Sequence, residues 1–240
     1  MSEFTPSEYR ILVVDDSVMV LRMVEASLTD AGFQVMSALS GEEALAMMRE
    51  QGLPHLALVD INMPLGMDGF ELCEQILQFS DLPVIMLTAV DESDTITEAI
   101  DKYAEDYITK PFRQGELVAR VRRVLRRIGR FAYPLAPYIQ VDDNLSVNFA
   151  QGIACVGGAE VTLTPVEMKL LYILMRAGGQ IVTTGFIMRR LWPADYLNAT
   201  QERLRVYIHR LRQKIETDPS HPRYVISQRG KGYSFGEIRH

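Results

Sequence analysis

Residues 10–16 read Arg-Ile-Leu-Val-Val-Asp-Asp, a short apolar run that stops on two carboxylates. The same pattern returns at residues 56–60, which read Leu-Ala-Leu-Val-Asp. Short continuous apolar runs are typical of strands that are buried on both faces of a sheet. Further predicted strands lie at 33–38, 84–87 and 106–109. Together these five segments predict a five-stranded parallel sheet.

The segments between these runs have helical periodicity. They lie at 17–31, from Ser40 to about Glu50, from about Asp68 onward, at 93–102 and at 113–128. The second begins with Ser40-Gly-Glu-Glu43, which is the pattern of a capping box. Strands that alternate with helices place helices on both faces of a parallel sheet. The first half of the chain is therefore predicted to have an α/β, doubly wound fold.

The alternating pattern ends near residue 128, and Pro134 and Pro137 follow in a short stretch. We therefore predict a first domain at 1–128, a linker at 129–137 and a second domain at 138–240. The second domain reads as short antiparallel strands at 138–163, helices at 165–177, 184–191 and 200–217, and a closing hairpin that turns at 230–232. Thr164-Pro-Val-Glu167 predicts the start of the first of these helices, because it combines a capping box with an early proline. An α+β fold is expected here.

The composition excludes several classes of protein. No apolar stretch is long enough to span a bilayer and no apolar signal segment begins the chain, so we expect a cytoplasmic location and no membrane partner. Cys73 and Cys155 lie far apart and are expected to be buried free thiols. The four histidines are scattered and form no metal site.

The net charge of −6 divides unevenly between the two halves. Residues 1–128 carry 11 basic and 22 acidic side chains, a net charge of −11. Residues 129–240 carry 14 basic and 9 acidic side chains, a net charge of +5. Opposite charges suggest two domains with different partners, and the basic domain is a candidate for binding nucleic acid.

Chemically active side chains stand at the ends of four predicted strands. They are Asp15 with Asp16, Asp60, Thr88 and Lys110. Parallel sheets bind ligands at the carboxyl ends of their strands. Three carboxylates at one place repel one another unless a cation neutralises them, and hard oxygen ligands favour Mg²⁺. The lysine and the hydroxyl would complete a pocket for a phosphoryl group, with Asp60 as the candidate nucleophile.

The predicted helix 200–217 has one narrow apolar stripe and an opposite polar face. The stripe contains Leu204, Ile208, Leu211 and Ile215, which we expect to be buried. The opposite face carries Val206, His209, Arg210 and Gln213, with basic residues along both edges. Such a helix suits the major groove of DNA, where arginine pairs with guanine and apolar groups meet thymine methyls.

The motifs VVDDS, VDINMP, LTA and DYITKPF, in this order and spacing, resemble the receiver domain of bacterial response regulators, which has a flavodoxin-like fold. The resemblance implies that a sensor histidine kinase phosphorylates Asp60. It implies that Asp16 binds Mg²⁺ directly, Asp15 mainly through water and Asn62 through its backbone carbonyl. It also implies that Thr88, Lys110 and Tyr107 sense the phosphoryl group, and that the peptide bond before Pro111 is cis. Taken alone, Tyr107 also fits the alternative of an ordinary core residue.

The stretches LTPVEMKLLYIL, VYIHRLRQKIE and ISQRGKGYSF resemble the winged-helix effector domain of the OmpR/PhoB family. The resemblance implies base contacts to double-stranded DNA from Arg210 and Val206, with His209 on the same face. It implies phosphate contacts from Arg203 and Arg212, a wing contact from Arg229, and an approach to RNA polymerase by the loop at 192–198. Lys231 also lies at the hairpin tip, where it is placed to reach the DNA backbone or minor groove. It also implies that the receiver forms a homodimer on activation, with Glu105, Asp106, Glu116 and Arg120 at the interface.

Three features depart from the family pattern. One additional residue lies between Pro64 and Gly69, which lengthens the loop beside Asp60. Tyr103 stands where the family has glycine, which eases a backbone turn there. In the fourth predicted helix, Ile96 stands where a basic residue is expected, and Lys102 also differs. We expect a symmetric dimer with altered or fewer charge pairs.

The sequence is compatible with three functions to different degrees. The leading one is a transcription factor, not an enzyme, that phosphorylation of Asp60 switches on. A phosphatase or hydrolase with Asp60 as nucleophile is the second, but a haloacid-dehalogenase type needs an acid where this chain has Asn62. The third is a constitutive DNA-binding protein with a vestigial receiver, which the complete set of acid-site residues disfavours.

Overall fold

The computed structural model describes residues 4–64, 66–89, 103–128 and 136–236. The chain divides into two compact units, residues 1–77 with 82–130 and residues 78–81 with 131–240. Residues 129–135 of the predicted linker lie outside the described part, as does the predicted helix at 93–102 with Ile96 and Lys102. The domain boundaries stay a prediction, and each unit is described by itself.

The first unit contains one parallel five-stranded sheet, as predicted. Its strands are β1 (Arg10–Val14), β2 (Gln34–Ala38), β3 (Leu56–Asp60), β4 (Val84–Ala89) and β5 (Asp106–Lys110), in the order β2-β1-β3-β4-β5. Every residue of β3 is buried, which agrees with its uninterrupted apolar sequence and its central place. The pairing of Asp60 with Leu87, and of Thr88 with Thr109, sets the polar strand ends side by side.

Four described α-helices accompany this sheet. They are α1 (Val18–Asp30), α2 (Gly41–Gln51), α3 (Gly69–Phe79) and α4 (Gln114–Ile128). Ser17 and Ser40 cap α1 and α2 by accepting backbone N–H bonds. The Glu43 carboxylate accepts from the N–H of Leu39, one residue before the cap, so the predicted capping box forms in a shifted version. A 3-10 helix at Pro6–Glu8 was not predicted.

The core of the first unit joins the sheet to the apolar faces of two helices. Buried residues of β1, β3 and β4 pack against Val24 and Leu28 of α1 and against Leu117 and Val121 of α4. Burial of each such side chain contributes roughly 1.5–3 kcal/mol. This packing holds the strand ends in place, and the strand ends carry the acidic residues. Cys73 is buried as expected and Cys155 is only half-buried; both are free thiols.

The second unit is α+β, as predicted. Strands β6 (Ile139–Gln140), β7 (Leu145–Asn148), β8 (Ile153–Val156) and β9 (Ala159–Thr162) form an antiparallel sheet. There follow α5 (Pro165–Arg176), β10 (Val182–Thr183), α6 (Thr184–Leu191), α7 (Gln201–Ile215), β11 (Val225–Gln228) and β12 (Gly232–Phe235). The closing hairpin of β11 and β12 forms a three-stranded sheet with β10.

The ends of the helices in this unit agree with their sequence signals. Thr164 and Glu167 form the predicted capping box at the start of α5. Thr200 lies just before α7 and caps it, accepting from the N–H of Arg203. The helix ends before Glu216, two residues earlier than predicted, because Glu216 adopts an extended backbone conformation.

Candidate functional site

Three carboxylates meet at the carboxyl end of the parallel sheet. Oxygens of Asp15, Asp16 and Asp60 all lie within 4.8 Å of one another. Asp15 is fully buried, Asp60 is 5% exposed and Asp16 is exposed. The fold explains the cluster, since β1 and β3 are neighbours and both end at this edge. The site predicted from the strand ends is therefore assembled as expected.

Lys110, at the end of β5, reaches into this cluster. Its Nζ lies 2.7 Å from Asp15 Oδ2 and 2.9 Å from Asp60 Oδ1. Burial alone would lower the pKa of Lys110, but the bonds to Asp15 and Asp60 outweigh it and raise that pKa. The ammonium is therefore charged at neutral pH and bridges two carboxylates from different strands. The Lys110–Pro111 bond is cis, as the resemblance implied.

The electrostatics of Asp60 are dominated by its burial. Burial raises the pKa of Asp60 above its usual range, and the charge of Asp15 adds to this, while Lys110 opposes both. The backbone N–H of Asn62 also bonds the Asp60 carboxylate and lowers the pKa. One ammonium among three carboxylates leaves negative charge that a second cation would neutralise. An all-oxygen donor set of this kind fits Mg²⁺.

The two other predicted sensing residues lie on the neighbouring strands. Thr88, near the end of β4, is 3% exposed and directly follows Leu87, the partner of Asp60 in the sheet. Tyr107, on β5, has 49% of its surface exposed, so the alternative of an ordinary core residue is wrong. Thr88 thus follows the sheet partner of Asp60 at the carboxyl ends of the strands, and Tyr107 is an exposed residue of the outermost strand, β5.

The lengthened loop after β3 is attached to α2. The N–H of Met67 donates to Glu42 Oε1 at 3.0 Å, and Gly66 adopts a left-handed φ of +93°. Gly69 lies against the backbone of Asp60, where a Cβ would clash with the carbonyl oxygen. Glu42 was missed by the sequence analysis, because its role depends on the tertiary position of a loop that departs from the family pattern.

Tyr103, which stands where the family has glycine, makes contacts with α3. The Tyr103 hydroxyl bonds the carboxylate of Glu74 on α3, and its ring lies 6.2 Å from that of Phe70. A glycine at this position could make neither contact.

The four residues predicted for a dimer interface form ion pairs within the chain. Arg120 Nη1 lies 3.1 Å from Asp106 Oδ1, and Arg120 Nη2 lies 2.9 Å from Glu116 Oε1. Glu105 pairs with Arg127, and Asp106 also pairs with Arg123 at 2.7 Å. The sequence analysis missed these last two arginines, although both recur on α4 at helical spacing from Arg120. Use of this face in a dimer stays a prediction.

In the second unit, α7 presents the face predicted for DNA. Leu204, Ile208, Leu211 and Ile215 are buried, which confirms the stripe. On the opposite side, Val206 is 47% exposed, and His209 and Arg210 are also exposed. Arg229 and Lys231, in the turn of the closing hairpin, are exposed as well.

Two arginines predicted as phosphate contacts already bind groups of the chain itself. Arg203 Nη1 lies 2.6 Å from Asp195 Oδ2, and its guanidinium lies 4.3 Å from the centre of the Trp192 ring. Arg212 donates to the carbonyl of Val225. Burial lowers the pKa of Arg212, although an arginine remains charged at neutral pH. Spacing along the helix did not reveal these partners.

An acidic pocket at the end of a parallel sheet, together with an exposed basic helix and hairpin, defines a two-domain regulator with a receiver and a DNA-binding domain. Family models match both parts. The model described as "Response regulator receiver domain" matches residues 11–122, and the one described as "Transcriptional regulatory protein, C terminal" matches residues 158–235.

Relatives match across almost the whole chain. The "Transcriptional regulatory protein KdpE" of Mycobacterium tuberculosis is 36% identical over 225 residues, covering 94% of this chain and 98% of the relative. The "Probable transcriptional regulator ycf27" of Porphyridium aerugineum is 37% identical over 235 residues, covering 95% and 96%. The structure of DrrB, a Thermotoga maritima OmpR/PhoB homolog, matches 95% of this chain and 99% of its own, at 28% identity and a TM-score of 0.44.

The chain belongs to the OmpR/PhoB family of two-component response regulators. The family models and the full-length relatives carry this assignment. Its relatives are transcriptional regulators, which favours a regulator over the hydrolase alternative. Within the described residues, no helix has both the length and the apolar character needed to cross a membrane.

Proposed function

We propose that phosphorylation of Asp60 by a sensor histidine kinase switches this response regulator into a form that binds DNA and regulates transcription. One observation carries the proposal: Lys110 Nζ bridges Asp15 and Asp60, which lie beside Asp16 in a cluster with unneutralised negative charge. Lys110 together with a cation bound at this cluster would supply the positive charge that the oxygens of a phosphoryl group on Asp60 require.

The proposed reaction is a transfer between nucleophiles. A carboxylate oxygen of Asp60 forms a bond to the phosphorus of a phosphohistidine, while the phosphorus–nitrogen bond breaks and the imidazole leaves with the electron pair and takes up a proton. Lys110 neutralises charge on the phosphoryl oxygens, and the hydroxyl of Thr88 donates a hydrogen bond to one of them. The Asn62 N–H, which bonds the carboxylate, orients Asp60 for attack.

Mg²⁺ is the proposed cofactor of this pocket. Asp15, Asp16, Asp60 and the backbone carbonyl of Asn62 would hold it. When bound, the ion neutralises charge that develops on the transferred phosphoryl group. Apart from this transfer to Asp60, the only turnover we propose is slow loss of the chain's own phosphate.

The proposed output runs through the β5 side of the receiver. Phosphorylation adds about two negative charges at Asp60, which Thr88 and Lys110 would contact directly. Tyr107, half-exposed on β5, would change rotamer with them. The face that carries Glu105, Asp106, Glu116 and Arg120 would then pair two receivers, with some of the present intrachain ion pairs exchanged for pairs across the dimer.

In the second domain, α7 and the hairpin are the proposed contacts to double-stranded DNA. The exposed face supplies Arg210, Val206 and His209 to the major groove, and Arg229 and Lys231 reach the phosphates from the hairpin turn. Arg203 is tied to Asp195 and Trp192, so its proposed phosphate contact would come from a side chain that the loop at 192–198 already holds. That loop is the proposed surface for RNA polymerase.

The test compares the wild type with Asp60→Asn, which keeps the shape of the side chain and removes the nucleophile. Both are treated with Mg²⁺ and a small phosphodonor, and self-association and affinity for a DNA fragment selected by the wild type are measured. We expect both responses to be lost in Asp60→Asn. Asp30→Asn, an exposed carboxylate at the end of α1, is the matched control and should respond fully.

An equal response by Asp60→Asn and the wild type would exclude phosphorylation of this residue as the switch. The constitutive alternative is tested in the same measurements, since it predicts that DNA affinity does not depend on the phosphodonor in either protein.

A further inference from the structure

Two side chains near the end of α7 hold the first strand of the closing hairpin. Arg212 donates from Nε and Nη2 to the carbonyl oxygen of Val225, at 2.9 Å and 2.6 Å. Its Nη2 also donates to Ser227 Oγ at 2.9 Å. The planar guanidinium therefore binds two positions of β11 in a fixed geometry, which a lysine ammonium does not reproduce.

Glu216, one helical turn further on, holds the start of the same strand. Its Oε1 accepts from the N–H of Tyr224 at 2.9 Å and from that of Val225 at 2.8 Å, and its Oε2 accepts from the N–H of Arg223 at 2.8 Å. Glu216 is only 7% exposed, so these charge-assisted bonds are made away from water. Both backbone polar groups of the fully buried Val225 are thus bound by side chains from the end of α7.

This attachment sets the direction of the hairpin relative to the exposed face of α7. Val225 pairs with Phe235 at the base of the hairpin, and Gln228 pairs with Gly232 next to the turn. At about 3.3 Å per residue, the turn lies roughly 13 Å from the point of attachment. A tilt of about 10° at the base would move the turn by roughly 2 Å, which is enough to break a hydrogen bond made there.

We infer that Arg212 is a positioning residue for DNA binding. It holds the hairpin so that Arg229 and Lys231 reach the DNA while α7 occupies the major groove. This inference rests on the proposed DNA contacts of α7 and the hairpin. It differs from the phosphate contact that the family resemblance implied for Arg212, because the guanidinium makes three hydrogen bonds to β11.

The two roles of Arg212 predict different results for Arg212→Lys. Lysine keeps the positive charge, so a phosphate contact would largely survive, with an unchanged dependence of affinity on salt. If Arg212 positions the hairpin, Arg212→Lys loses that function, because a lysine ammonium cannot bind the Val225 carbonyl and Ser227 Oγ in the geometry of the guanidinium. We then expect binding about 10-fold weaker or more, and a slope of log affinity against log salt reduced by about two, as the contacts of Arg229 and Lys231 are lost.

A double-mutant cycle with Arg229→Ala provides the second readout, using the full chain treated with Mg²⁺ and a small phosphodonor. Where Arg212 acts through the hairpin, Arg212→Lys combined with Arg229→Ala should be no more than about twofold weaker than Arg212→Lys alone. The matched control is Arg205→Ala, an exposed arginine of α7 that pairs with Glu202 of the same helix. The fold-losses in DNA affinity caused by Arg205→Ala and by Arg229→Ala should multiply in the double variant.

Fluorescence of Trp192, the single tryptophan, verifies that each variant is folded. Ser227→Ala removes one bond to Arg212 from an exposed position, and should show the same coupling at smaller size if Arg212→Lys fails to fold. If the fold-losses in DNA affinity caused by Arg212→Lys and Arg229→Ala multiplied in the double variant, the positioning role would be wrong and the proposed DNA-binding surface would still stand. If Arg210→Ala and Arg229→Ala both left binding unchanged, the proposed DNA-binding surface itself would be wrong.

Discussion

The acidic pocket of the receiver and the basic face of the DNA-binding domain use their charges in different ways. In the pocket, three carboxylates share one ammonium, and among the residues that the structure describes no second basic side chain is paired with them. Near α7, Arg203 and Arg212 are already bound to groups of the same domain. A charged residue in a functional region can therefore either bind a ligand directly or hold other elements of its own domain in position.

The comparison shows which sequence signals separate these two cases. Charges at the ends of adjacent parallel strands are forced together by the sheet, so like charges there already predict a cation-binding site. Charges on the edge of a helix are placed by periodicity alone. Periodicity reports which residues are exposed, and it does not report which of them are bound by a distant strand or loop.

The largest expected effect comes from removing the one cation of the pocket. Lys110→Met should destabilise the receiver by about 3 kcal/mol without Mg²⁺, because buried carboxylates lose their partner. The loss is smaller than for a fully buried pair, since solvent screens the Lys110 side chain, which is 25% exposed. Mg²⁺ should restore more stability to Lys110→Met than to the wild type, since binding to the folded state stabilises it. Unfolding followed by circular dichroism, with and without Mg²⁺, measures both effects.

The control for that experiment is Lys110→Arg, which keeps the charge. It should be less destabilised than Lys110→Met and should depend less on the ion. Equal Mg²⁺ dependence in all three proteins would show that the pocket does not carry the unneutralised charge inferred here.

A smaller effect is expected where the charge is satisfied within the chain. Glu216→Ala should destabilise the DNA-binding domain by about 2 kcal/mol, because three backbone N–H groups at the base of the hairpin lose their acceptor. Unfolding followed by Trp192 fluorescence reports on this domain. Mg²⁺ should not restore the loss, in contrast to Lys110→Met, and restoration by the ion would remove the distinction between the two regions.

The smallest expected effect depends on pH. Burial would raise the pKa of Glu167, but bonds from Lys214 and Thr164 outweigh it and hold that pKa below its usual value of 4.5. The carboxylate therefore contributes stability that is fully present above about pH 4.5 and is lost as the pH falls through the folded-state pKa. Glu167→Gln should cost about 1 kcal/mol at pH 7, and the difference from the wild type should shrink under acidic conditions.

Unfolding curves at several pH values, followed at Trp192, test this sign. Glu202→Gln, whose side chain is 76% exposed, is the control and should leave the acid limb of the stability profile unchanged. A gap between Glu167→Gln and the wild type that widened as the pH fell would contradict the direction of the pKa shift.

Much of the fold was predictable because local signals and packing agree. The apolar runs ending on Asp15 and Asp60 are strands, and Thr164 begins a helix with its capping box. The loop after Pro64 was not predictable, because its hydrogen bond from Met67 to Glu42 joins residues 25 positions apart. Tyr107 was similarly undecided from its sequence alone, since only the sheet edge determines that half of its surface is exposed.

The sequence by itself determined the class of this protein and the residues that meet in its acidic pocket. Strand ends are local features, and a parallel sheet brings them together wherever the strands are adjacent. Only the tertiary structure decided which arginines of α7 remain exposed to a partner. Arg212 and Val225 are 13 positions apart, and the bond between them exists because the hairpin folds back against the helix. Contacts of this kind depend on how helices and strands pack together, so the periodicity of one helix cannot predict them.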